Sequence, residues 1–337
     1  MTTIGSLFSG GGGWDAGAVM VGMKPIFAVE MDAALARWHS SVFGGHTYAS
    51  PIADVDWREV SATVRHVDVL VSSPPCQEYT KSGAMQAALA AVRGTARGDR
   101  SLCDPMAGIH TLDAVDALQP SVVFLEEAPA YATRPSSPFK QIVEGLRRRG
   151  YAVDWKVLHI EDHGLPSGRK RLFLRATKGS MPAWPAKRAR VSWFDAIGAM
   201  LPSLPVGKLA PWQKRHLDDW GMPRPGEPLL ITGGNKGARG SGSNKRYFVH
   251  RFPHELSWAI QKANGMGTMR AIDADGVVRD VTPRAVSVLQ GFPAWYPIEK
   301  LGKTRALDIL GNSVPPLMAA QLLAPFAPAR ANPRVAG

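Results

Sequence analysis

The chain has 337 residues, 45% of them hydrophobic and 20% charged, with a formal net charge of +12. A chain of this size buries at least one large core, as one large domain or two unequal ones, and no stretch reaches the roughly 18 uncharged apolar residues of a membrane-spanning helix. The positive balance points to a polyanionic partner, because Lys and Arg set against phosphates release counterions.

The opening MTTIGSLFSGGGG lacks the basic segment and apolar stretch of a secretory signal, so the expected compartment is the cytoplasm. Thr3 to Phe8 is a short apolar run ending on Gly10 to Gly13, the pattern of a buried strand feeding a glycine-rich turn. Asp15 to Val21 reads as a short helix, Ile26 to Glu30 as a second strand and Ala33 to Phe43 as a second helix, an alternation spaced like parallel βαβ units. Val67 to Ser72 is a third strand halted by Pro74 and Pro75. Met106 to Leu118 is helical, and Val122 to Glu126 is a strand that stops near Pro129. Phe139 to Arg149 is a helix closed by Gly150, with strands over Ala152 to Ile160 and Arg171 to Ala176. After about residue 177, Pro, Trp, Gly, Lys and Arg accumulate and periodicity fades, which predicts a second, irregular domain. Order returns near Asp280 with a loop opening a helix, and Asn312 to Leu323 reads as a final helix. The expected division is a catalytic and cofactor-binding α/β domain over 1–177, a basic domain over 178–279, a return to the first domain over 280–325, and a flexible tail over 326–337.

The chemistry concentrates at the strand ends. Glycines after a strand let backbone approach a ligand closely, and the following helix offers free N–H groups. Glu30, closing the next strand, is placed to accept hydrogen bonds from a ribose diol, and Asp54 to receive an amino group such as that of adenine. Taken singly, glycine turns also serve as tight connections, and both acids read as solvated surface carboxylates. Cys76 follows Ser73-Pro74-Pro75 at the C-terminal edge of a parallel sheet, where rigid prolines present its thiol to the crevice. Cys103 lacks such a setting and reads as structural; two cysteines without Cys or His neighbours at ligand spacing give neither a disulfide framework nor a metal site. Glu126 ends its strand at the same edge, as an acid kept protonated by burial or as a helix cap. Arg169 and Arg171 alternate before a strand, to hold a carbonyl and phosphate or merely to be solvated.

These motifs resemble, in content and order, those of the cytosine-5 DNA methyltransferase family. SLFSGGGGWDAG is similar to its cofactor loop, AVEMD to its ribose-binding acid, ADV to its adenine-binding aspartate and SSPPCQEYTKSG to its catalytic loop. RGDRSL resembles the following helix start, FLEEAP the glutamate motif, HGLPSGRKRLFL the arginine motif, TPRAVSVLQGFP the segment supporting the recognition domain and GNSVPP the C-terminal cofactor motif. The resemblance covers residues 4 to 320. It implies a doubly wound, mostly parallel α/β sheet with a smaller irregular target-recognition domain, S-adenosylmethionine as cofactor and duplex DNA as substrate. By the same resemblance, Phe8, Gly10, Gly12, Glu30, Asp54, Pro74, Asn312 and Ser313 contact the cofactor. Cys76 adds to carbon 6 of cytosine, and Glu126, Arg169 and Arg171 clamp the base. No metal is implied.

The target base would be flipped out of the duplex, with Gln77 to Arg100 as a candidate lid. A monomeric, nucleoid-associated cytoplasmic enzyme with a cognate restriction endonuclease is the corresponding expectation. The sequence departs from the family pattern at Glu127, where Asn is usual, at Ala128 for Val, at Ser167 for Gln and at Thr80 for Ser. Glu127 would either favour the protonated form of Glu126 by like-charge repulsion or disturb the loop that the Asn anchors. Two other readings stand beside the DNA enzyme: a tRNA cytosine-5 methyltransferase, and a catalytically impaired DNA-binding homologue.

Overall fold

A computed structural model of the chain describes residues 1–75, 104, 106–221, 223–232, 249–260 and 269–328. They form two compact units, the first built from 1–158, 171–184 and 319 onward, the second from 159–170 and 185–318.

The first unit alternates strand and helix: β1 Thr3–Leu7, α1 Gly13–Met20, β2 Lys24–Val29, α2 Ala33–Phe43, β3 His46–Tyr48, α3 Trp57–Val64 and β4 Val69–Ser72. After β4 come α4 Thr111–Leu118, β5 Val122–Glu127, α5 Phe139–Arg148, β6 Ala152–His159 and β7 Lys170–Thr177. The strands lie in the order β3-β2-β1-β4-β5-β7-β6. Pairing is parallel from β3 through β5, whereas β7 runs antiparallel to β5. Strands covered on both faces read as unbroken apolar runs, as in the Val69–Ser72 segment VLVS, buried throughout. Val123, Leu125, Leu172 and Leu174 pack on one face with Leu112, Val115, Ile142 and Leu146 of α4 and α5. The chain moves outward from β1 to β3 and then returns to β4, so the order reverses between β1 and β4, where such sheets open their ligand crevice.

The second unit holds α6 Trp193–Ile197, α7 Pro211–Trp220, β8 Leu229–Ile231, β9 His250–Arg251, β10 Arg270–Ile272, β11 Val278–Asp280, α8 Pro283–Leu289 and α9 Lys303–Asn312; α10, Pro316–Leu323, begins there. It is more regular than its sequence suggests. Its strands form a four-stranded sheet, β11-β10-β8-β9, antiparallel at each pairing and packed on Leu217 of α7. Among the described residues no strand there exceeds three residues, too short for a period of two to register. Residues 280–318, expected to rejoin the first domain, pack within this second unit, and Asn312 ends α9 instead of opening the last helix.

Candidate active site

β1 ends at Leu7 and the chain turns at once. Phe8 (φ +55°), Gly10 (φ +52°) and Gly12 (φ +76°) all adopt positive φ. Glycine enters that region freely, whereas a phenylalanine held there stores about 1–3 kcal/mol, a cost that persists where the surroundings over-determine the turn. Gly12 has a second reason to be glycine, since a Cβ there would land on the ring of Phe43; beside Gly10 the space is open. Gly12→Ala therefore combines backbone strain with overpacking, and we expect a loss of about 2–4 kcal/mol of stability together with at least tenfold weaker cofactor binding. Urea unfolding and calorimetric titration with S-adenosylmethionine check this, and unchanged values in both would refute the steric account.

Glu30 is pinned from both sides. The Gly10 N–H donates to its Oε2 and the Asp32 N–H to its Oε1, both at 2.9 Å. Burial pushes the carboxyl up from its ordinary value while these two backbone donors act in the opposite direction. Asp32 in turn caps α2, accepting from the N–H groups of Ala34 and Leu35. The AVEMD segment is thus one device: its acid holds the glycine turn, and its cap starts the next helix. Each Glu30 oxygen retains a lone pair for a further donor.

Behind the turn lies a buried polar chain that sequence reading missed. The Ser6 hydroxyl donates to Asp15 Oδ1 at 2.7 Å, His39 Nε2 stands 3.1 Å from Asp15 Oδ2, and His39 Nδ1 meets Thr47 Oγ1 at 3.1 Å. Trp14, also missed, rests on Phe124 and donates its indole N–H to Ser73 Oγ at 3.0 Å. It thereby links the glycine turn to the segment leading into Cys76. The available signal was a tryptophan and an aspartate directly after four glycines, positions where small or apolar residues would suffice for a helix start.

Ser73, Pro74 and Pro75 continue β4 at the sheet edge, with Pro74 buried, while Cys76, Cys103 and the Gln77–Arg100 loop lie outside the described residues. Asp54 sits exposed in a single 3₁₀ turn, Ile52–Asp54. Glu126 and Arg171 are brought together. Because β7 is antiparallel to β5, its first residues reach the edge where β5 ends; with Glu126 opposite Phe173, Arg171 is the diagonal neighbour on the same face. Arg171 Nε lies 2.9 Å from Glu126 Oε1, in a pair that is largely buried. Arg169 goes elsewhere: its guanidinium donates to the carbonyls of Ile260 and Gly311 and its N–H to Glu161 Oε2, all within the second unit. Asn312 is exposed at the end of α9; Ser313 closes that helix, its hydroxyl donating to the Ile309 carbonyl, while the Gln290 amide donates to the Ser313 carbonyl.

The sequence matches the family described as C-5 cytosine-specific DNA methylase over residues 2–325. The chain belongs to that family. It is a DNA cytosine-5 methyltransferase that uses S-adenosylmethionine, and the mechanism of its family passes through a covalent cysteine adduct. This methyltransferase is 26% identical to the Type II methyltransferase M.XorII of Xanthomonas oryzae over 93% of its own length and 81% of the relative's. It is 25% identical to the Type II methyltransferase M.AplI of Arthrospira platensis, over 93% and 82%. Its fold superposes with a TM-score of 0.67 on a prophage-encoded DNA modification methyltransferase of E. coli, covering 97% of this chain and 98% of the other at 18% identity.

The methyltransferase's own residues fit its cofactor. Ser9 Oγ is buried in the glycine turn with no hydrogen-bond partner among the described residues, space is open at Gly10, and Glu30 keeps acceptor capacity. A hydroxyl-rich nucleoside satisfies all three. Its basic run WPAKRARVSW is partly neutralised from within: Lys187 and Arg190 both bind Asp162, at 2.9 and 2.8 Å, and hold that carboxyl down at about 2. Ser167 is buried and bridges to Ser257. Among the described residues no group of His, Cys, Asp and Glu is arranged to hold a metal, and no helix is long and apolar enough to cross a membrane.

Proposed function

We propose that Cys76 is the nucleophile of this methyltransferase and that Glu126 and Arg171 hold the target cytosine. The observation that carries this reading is the Glu126–Arg171 pair, delivered to the sheet edge where β1 turns at the glycines and β4 runs out through Ser73 to Pro75. Carbon 5 of cytosine is too poor a nucleophile until a thiolate adds at carbon 6. Cys76 adds there, Glu126 hydrogen-bonds at N3 and Arg171 at the base carbonyl, so that the negative charge raised by the addition is met by preorganised donors. Once carbon 5 has taken a methyl group, for which the cofactor's sulfonium would leave as a neutral thioether, loss of the carbon 5 proton and release of Cys76 restore the aromatic ring. When bound, S-adenosylmethionine supplies an electrophilic methyl group. Phe8, Gly10, Gly12, Glu30, Asp54 and Pro74 are the residues we assign to holding it. For Asn312 and Ser313 as cofactor contacts, and for Arg169 as a base clamp, the support is the motif resemblance; the partners of Arg169 give it a scaffolding role as well.

The substrate we propose is duplex DNA carrying one short recognition sequence, read by side chains of the 178–279 segment. The two relatives are Type II methyltransferases, which supports a modification role beside a cognate endonuclease. A monomer acting on each strand in turn, in the cytoplasm and on the nucleoid, completes the proposal. The test is bisulfite sequencing of plasmid DNA from a methylation-free host expressing the chain or Cys76→Ala. We expect protected cytosines in one motif, lost in the variant. Protection that survives the substitution eliminates Cys76, and absence of protection from both redirects the search to RNA.

A further inference from the structure

Glu127 is one of the residues at which the sequence departs from the motifs it resembles, and the structure gives that departure a physical form. Alternation along β5 places Val123, Leu125 and Glu127 on one face of the sheet and Glu126 on the other. Glu127 is opposite Leu172, and the face it shares is the apolar one, with Leu125, Leu172 and Leu174. It is 0% exposed. Its Oε2 accepts the N–H of Ala128 at 2.7 Å, and its Oε1 is buried with no hydrogen-bond partner among the described residues. The nearby guanidinium, Arg171, is engaged with Glu126 on the opposite face.

The charged groups of the helices over this face lie at the surface. Asp113 and Asp116 of α4, and Lys140, Glu144 and Arg147 of α5, are exposed, β4 contributes no ionisable side chain, and the buried titratable residues of this apolar cluster are Tyr131 and Tyr151, the latter donating its hydroxyl to the Pro120 carbonyl. A carboxylate in such surroundings, beside a second carboxylate and with no cation on its own side, neutralises rather than remains charged.

We infer that Glu127 is a positioning residue that works as a neutral carboxylic acid: its carbonyl oxygen holds the Ala128 N–H, fixes the chain as it leaves β5, and so sets Glu126 against Arg171. This rests on the reading of Glu126 and Arg171 as the base clamp. The strand runs unbroken through residue 127, and the acid makes its own anchor. Burial first, and the charge of Glu126 second, push the Glu127 carboxyl well above its ordinary value.

The pH dependence follows in sign. Between the unfolded carboxyl value and the raised folded one, the folded chain holds one proton more than the unfolded chain. Stability from this group is complete below the ordinary carboxyl range and is lost as pH rises through the folded value, by up to about tenfold in the folding constant per pH unit. The experiment compares cofactor-free wild type, Glu127→Gln and Glu127→Asn by urea unfolding from pH 5 to 9, with difference infrared spectra and kcat at each pH. We expect the Glu127→Gln stability relative to wild type to climb with pH, by up to about tenfold per unit in the folding constant. We also expect the carbonyl stretch of a protonated acid in wild type and its loss in the variants. In kcat, Glu127→Gln should stay within about threefold of wild type near neutrality and exceed it at the alkaline end, since an amide keeps the acceptor and cannot ionise. A stability difference that is flat with pH, or the absence of the protonated-acid band, overturns the inference. So does a Glu127→Gln enzyme whose kcat falls by more than tenfold at every pH while its stability holds. If Glu127→Gln does not fold, the infrared comparison with Glu127→Asn decides. The unfolding and infrared arms need no methyl transfer, so they remain readable even if the base-clamp reading fails.

Discussion

Replacing Arg171 with alanine will lower kcat/KM for DNA methylation by about a thousandfold, on the scale seen when a preorganised donor to a developing charge is removed. Two effects combine. The base carbonyl loses its charged donor, and Glu126, only 6% exposed, loses the counter-charge that stands 2.9 Å away. Stranding one member of a buried ion pair costs about 3–5 kcal/mol, far more than the pair itself contributes, so thermal stability should fall as well. Arg171→Lys should recover most of that stability but little of the rate, because an ammonium has neither the planar fork nor the reach of the guanidinium. Glu126→Gln separates the two contributions: it keeps the volume, gives up the carboxyl partner of Arg171 and removes the group that carries a proton to N3. Single-turnover methylation, together with thermal unfolding of all three variants, measures this. An Arg171→Ala enzyme within tenfold of wild type would show that the pair is structural only.

The second large effect is expected at a residue outside the catalytic motifs. His39→Leu leaves Asp15, 0% exposed, facing an apolar side chain across what was a 3.1 Å contact. The expected cost is about 3–5 kcal/mol, which for a chain of this size lowers the melting temperature on the order of 10 °C. Because α1 carries Asp15 and starts at the glycine turn, the loss should also weaken S-adenosylmethionine binding while leaving kcat at saturating cofactor nearly unchanged. His39→Gln, which retains a polar nitrogen, should recover part of both losses. A double variant, Asp15→Leu with His39→Leu, should be more stable than His39→Leu alone, since no buried charge is then left unpaired. If the double variant is as unstable as the sum of the single ones, the pair is not coupled and the network account is wrong.

The first unit was legible because its physics is local. Apolar runs such as Val69–Ser72, halted by prolines, are strands in any context that buries them, and glycines after a strand mark a tight turn wherever they occur. Ala33–Phe43 begins after a capping Asp32, so its bounds follow from hydrogen bonds made within four residues. The second unit was less legible for the converse reason: its strands of two or three residues exist through cross-strand partners far away in sequence, as in Leu229 with Ile272. Helix α9, Lys303–Asn312, went unread because Gly302 and Lys303 give no side-chain cap and its buried residues, such as Ala306 and Leu310, are spaced among charged ones.

By itself the sequence determined the order of elements in the first unit, the glycine turn, the acid that answers it and the family to which these motifs belong. Only the tertiary structure decided which of the candidate side chains meet. Arg169 and Arg171 are two residues apart and read alike, yet Arg171 pairs with Glu126 while Arg169 donates to Ile260 and Gly311. Glu126 and Glu127 are adjacent and chemically identical, yet the pleat sends one to a guanidinium and the other into leucines. In both cases the cause is the same. Spacing along a chain fixes the side of a strand on which a residue emerges, but what waits on that side is set by antiparallel pairing and helix packing between segments tens of residues apart.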